Sequence, residues 1–124
     1  MAEIATYIGV EPRTVQNGGS AIARGLRCTL QSTGLVAVQD NTARGDFVTA
    51  HDIAANEAGE AFSMQGGGKV PAVASEATLV GDPAYTATAG RFSKTTTSNV
   101  LVGRWTQPAS GAGVLGEVEL LNPL

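Results

Sequence analysis

A chain of 124 residues points to one domain with a modest core. Hydrophobic residues make up 43% but charged residues only 15%, against roughly 25% in ordinary domains, so Gly and Ala give a small-featured surface with little electrostatic repulsion against docking. The net charge is −3 and the eight Lys and Arg are scattered singly, which excludes the clustered cations of a nucleic-acid binder; no run approaches the roughly 20 apolar residues of a membrane-spanning helix.

Residues 1–19 read as an N-terminal arm. Its apolar residues Ile4, Tyr7, Ile8 and Val10 keep no sustained period, Pro12 interrupts it, and Gly18-Gly19 separates it from the rest of the chain. These four residues are candidate contact residues of an arm that orders on a partner; an ordinary edge strand over Thr6–Val10 is the competing reading. Glu3 and Glu11 and the lack of an apolar core segment argue against a secretory signal, so folding in a cytoplasm is expected.

Residues 20–124 read as a single β domain of short strands with Gly-rich turns and little helix, either a small β-barrel or a β-sandwich. "LRCTLQ" (26–31) alternates, and "LVAVQ" (35–39) comes next at hairpin spacing. "FVTA" (47–50) is a third strand, "HDIAANEAG" a turn or one helical turn, and "EAFSMQ" (60–65) a fourth strand. "KVPAVA" (69–74) is extended, with Pro71 assigning it to an edge or a bulge; "SEATLV" (75–80) fits one helical turn capped by Ser75. "AYTAT" and "RFSK" flank a turn at Ala89-Gly90, "VLVGRW" is the most apolar run, and "LGEVELL" closes by alternation. The only Trp, Trp105, ends that apolar run and belongs either to the core or to a subunit contact. Gly25 and Gly81 lie 56 positions apart, as do Gly34 and Gly90, and "GEAFSM" is echoed by "GEVELL". If this echo is a duplication, the fold is two similar β-units packed together.

Catalytic chemistry is thinly supplied. His51 sits beside Asp52, but neighbours in sequence do not face each other, and no G-x-S-x-G elbow exists. The single cysteine, Cys28, alternates with Leu26 and Leu30 and reads as a small core hydrophobe. Glu117 and Glu119 share one face of the last strand, as an exposed polar face would. Gly66–Gly68 with Lys69 lacks the frame of a phosphate loop. No catalytic, metal or cofactor set is expected. The six aromatic residues are too spread for a base-stacking platform.

Residues 59–121 resemble the head-decoration, or capsid cement, proteins of tailed bacteriophages, through the order of "GEAFSMQGGGKVPA", "GDPAYTATAGRFSKT", "NVLVGRW" and "ASGAGVLGEVEL". Thr86-Ala87 stands where that family often shows a Trp-Asp pair. The resemblance implies a non-enzymatic virion protein that binds the outer surface of the capsid and bridges neighbouring subunits. Its partner would be the major capsid protein, and it would act as a homo-oligomer, a trimer favoured, made in the host bacterium. Another β-module of a phage particle, such as a tail or baseplate component, and a carbohydrate-binding module are the alternative readings.

Overall fold

The computed structural model describes residues 12–38, 42–96 and 99–121. Ile4, Tyr7, Ile8 and Val10 lie outside them. Ten short strands occur in chain order: β1 (Pro12–Gln16), β2 (Arg27–Gln31), β3 (Gly34–Ala37), β4 (Phe47–Thr49), β5 (Ala58–Ser63), β6 (Gly68–Val73), β7 (Pro83–Thr86), β8 (Phe92–Ser93), β9 (Leu101–Gln107) and β10 (Leu115–Leu120). They form two antiparallel five-stranded sheets, ordered β1-β5-β4-β2-β3 and β6-β10-β9-β7-β8. The architecture is all-β and sandwich-like. It is not a closed barrel: a parallel bridge between Asn17 and Leu35 draws β1 and β3 together at one point only.

The second order is the first with every strand advanced by five, and the correspondence extends to register. Val15 faces Gly59 as Ala72 faces Gly116. Thr49 faces Ala61 as Trp105 faces Val118. Arg27 faces Val48 as Pro83 faces Arg104, and Leu30 faces Leu35 as Thr86 faces Phe92. The bridge from Asn17 to Leu35 recurs from Ala74 to Phe92. The Ile22 N–H donates to the Ile53 carbonyl as the Thr78 N–H does to that of Ala109. The chain is therefore a tandem structural duplication; Gly25 with Gly81 and Gly59 with Gly116 keep its frame, whereas Gly34 falls at the place of Arg91 and not of Gly90.

The core is built on the same frame. Val15, Ile22, Cys28, Leu35, Ile53 and Ala61 form one buried cluster. Their counterparts in the second half are Ala72, Thr78, Ala84, Phe92, Ala109 and Val118, all buried. Where Ile22 and Ile53 shrink to Thr78 and Ala109, Leu35 and Thr49 grow to Phe92 and Trp105. Volume is redistributed, as close packing demands. The Phe92 and Trp105 rings meet edge to face, 6.5 Å between centroids.

Local expectations differ from the fold in two places. From Pro12 the segment assigned to the arm forms β1, with Val15 buried; proline is admissible there as the first residue of a strand. The helical turn expected at 75–80 is absent: the Ser75 N–H donates to the Phe92 carbonyl, and Thr78 pairs with Ala109. At 51–59 the turn forms rather than the helical turn: the Glu57 N–H donates to the Ala54 carbonyl at 3.2 Å, and Ile53 is held by Ile22. Among the described residues, helical geometry is confined to a 3-10 turn at Thr88–Gly90. Pro71 does lie on an edge strand, β6.

Candidate functional site

The residues with chemical potential are occupied by structure. The His51 Nε2 accepts the Glu60 N–H at 3.1 Å, and Nδ1 lies 2.9 Å from the Asp52 carbonyl. With one nitrogen accepting, the other carries the proton and donates, so the ring ties the loop to β5. The Asp52 carboxylate accepts the Arg24 N–H at 2.8 Å and does not orient the imidazole. Cys28 is completely buried, and its thiol is pushed up to about 12 by desolvation, with Arg27 opposing the rise. Glu117 accepts the Thr106 hydroxyl at 2.9 Å, while Glu119 pairs with Arg104 at 3.7 Å at the surface. Among the described residues, no group of three or more His, Cys, Asp or Glu side chains could hold a metal.

An open polar depression is lined by Ser75, Glu76, Thr88, Ser93, Thr95 and Asn99. Its carboxylate, on Glu76, already accepts the Thr95 hydroxyl at 2.6 Å and the Lys94 N–H at 3.1 Å, which pins the loop after β8.

The junction between the halves is more telling. Arg27 on β2 is completely buried there. Its guanidinium donates to the carbonyls of Ala87 and Arg91 in the second half and of Ala43 and Arg44 in the first, and it lies 5.9 Å from the centre of the Phe92 ring. Val48 and Met64 join the second half's core cluster, with Phe62 packed against it. The Gly25 carbonyl accepts the Val73 N–H at 3.0 Å. Arg44 reaches the carbonyls of Met64 and Leu121, and burial lowers its pKa. An alternating strand predicts that Arg27 faces water. Its acceptors in the second half lie about sixty residues away in sequence, so no local signal marks it.

Trp105 is completely buried in the chain's own core, and its indole N–H donates to the Ser93 carbonyl at 3.3 Å. Apolar surface lies elsewhere. Leu79 and Val80 are 68% and 66% exposed, and Leu30, Leu101 and Leu121 are exposed as well. Sequence reasoning placed 79–80 inside a helical turn and so missed them. The consecutive apolar pair before Gly81 was the available signal.

Residues 14–120 match the family described as phage cement protein. No curated protein matches the chain. Among solved structures, the chain is similar to the head fiber gp8.5 N base in bacteriophage phi29, at 16% identity and a TM-score of 0.65, over 91% of this chain and 95% of that one. At that identity the likeness is one of fold.

Proposed function

Because the chain belongs to the phage cement protein family, we propose that it binds the outer surface of a phage capsid and stabilises the shell by bridging neighbouring subunits of the major capsid protein. The match over 14–120 carries this reading, since it spans both halves of the duplicated fold. It acts without catalysis, as a structural virion component. A weakly charged surface with exposed Leu79 and Val80 suits close apposition to a larger surface. Many copies on a symmetric lattice reinforce a shell even where each contact is weak. A homo-oligomer, favoured as a trimer, would match three-fold positions of such a lattice.

The test is cosedimentation of the purified chain with shells. Binding to mature shells, with a raised disruption temperature of the bound shell, is the expected result. Absence of shell binding, or capture by isolated tails instead, would overturn the reading and favour a tail or baseplate module.

A further inference from the structure

The duplicated frame lets each position at the junction be compared with its counterpart at the free end of the molecule. Gly25, Arg27, Val48 and Met64 are buried where the first half meets the second. Their counterparts Gly81, Pro83, Arg104 and Leu121 are exposed. Gly25 and Gly81 share a left-handed backbone, with φ of +82° and +92°. A Cβ at Gly25 would meet Leu115 at 2.7 Å and the Ala72 N at 3.2 Å, whereas one at Gly81 would meet nothing within 4 Å. The second half thus carries the backbone frame of the junction face, with Pro83, Arg104 and Leu121 in place of Arg27, Val48 and Met64, and no occupant among the described residues. The first half, at the opposite end, carries the matching receptor. Gln16 and Ala58 are exposed at the places of Val73 and Leu115.

Some of the exposed apolar surface borders the free face. Leu79 and Val80 immediately precede Gly81, but their counterparts Ala23 and Arg24 stay exposed beside the junction, so the pair lies at the margin of the face. Leu121 takes the place of Met64, which the junction buries. Inside the junction Val48, Val70 and Val102 share one apolar cluster; at the two free ends the same places hold Arg104 on one side and Arg13 and Asp46 on the other. The apolar seal of the permanent junction is replaced at the ends by charged side chains, Arg104 on one side and Asp46 beside Arg13 on the other, which makes a contact there weaker and reversible.

We propose that the free face of the second half docks on the first half of a second copy, head to tail. The Gly81 carbonyl then accepts the Gln16 N–H, as that of Gly25 accepts the Val73 N–H, and the Gly81 loop lies on Ala58. Such a contact is heterologous, using a different surface on each partner, and it closes into a ring when the rotation permits. This inference deepens the homo-oligomer reading above and rests on it.

The experiment uses the full chain in sedimentation analysis over a concentration series. Leu121→Glu, at the place where the junction buries Met64, disables the donor face and Ala58→Arg the receptor; both positions are exposed, so the melting temperature serves as the check on folding. Each variant alone is expected to self-associate about tenfold more weakly or worse, the effect of an unpaired charge at an apolar contact. Mixed one to one, the variants form a heterodimer and nothing larger, because each keeps one intact face. A wild-type chain that stays monomeric at all concentrations overturns the inference. So does a folded pair of variants that associates normally, or a mixture that recovers no dimer. The shell assay separates the two readings: a wild-type chain that is monomeric yet binds shells removes the head-to-tail contact alone, whereas a self-associating chain that ignores shells removes the cement reading alone.

Discussion

Arg27 and Cys28 are neighbours on β2 with opposite demands. Arg27 donates to carbonyls from both halves, so removing it leaves several buried acceptors without a donor. Arg27→Met is expected to cost about 3 kcal/mol, read from the denaturant midpoint at unchanged m-value. A cost under about 1 kcal/mol would show that the guanidinium does not hold the halves together. The Cys28 thiol has a folded pKa raised from 9.0 to about 12. Below pH 9 both folded and unfolded chains keep the proton, so the full stability is present; between pH 9 and 12 only the unfolded chain releases it, and stability falls as pH rises. Native protein at about pH 8 should resist thiol-alkylating reagents that label the denatured chain at once. The two residues were unequally legible. Alternation marks Cys28 as inward because its environment is simply apolar, whereas the burial of Arg27 depends on carbonyls contributed by a distant segment.

At the scale of strands and turns, the duplicated glycines offer a controlled comparison. Gly25→Ala and Gly81→Ala incur the same left-handed strain, about 1–2 kcal/mol. Only Gly25→Ala adds a clash with the Leu115 side chain and the β6 backbone. It should therefore unfold at a clearly lower denaturant concentration than Gly81→Ala; equal midpoints would mean that the halves are not packed as described. Strands were the readable elements, because period-two alternation and bounding glycines are local signals: β2, β3, β5 and β10 fall where that pattern puts them. Segment 75–80 was not readable, since Ser75 with Glu and Ala after it fits a helix start equally well. Its extended course is fixed by pairing with Phe92 and Ala109, which the segment itself does not encode.

At the scale of the molecule, the limits of the folded body can be tested by truncation. A chain beginning at Pro12 keeps β1, Val15 and Asn17, whose side-chain amide donates to the carbonyls of Ser20, Ile53 and Ala54. It is expected to melt as the full chain does and to cosediment with shells less well if residues 1–11 are contact residues. A chain beginning at Gly19 loses a strand from the first sheet and should melt far lower or fail to fold. Melting of the Pro12 chain well below the full chain would mean that the residues before Pro12 belong to the body. The duplication was only faintly legible, since the core positions exchanged size and few glycines were kept: Gly81 repeats Gly25, but Gly113 stands where the first half has Asn56, both with left-handed backbones. The two halves also differ in self-sufficiency. The first half's cluster is drawn entirely from its own strands and loops, whereas the second's borrows Val48 and Met64. On a ribosome the N-terminal half emerges first, so the cluster drawn from one half alone is synthesised before the cluster that needs both. Pulse-labelling of amide hydrogens during synthesis should find β2, β4 and β5 protected while β9 and β10 are still exchanging.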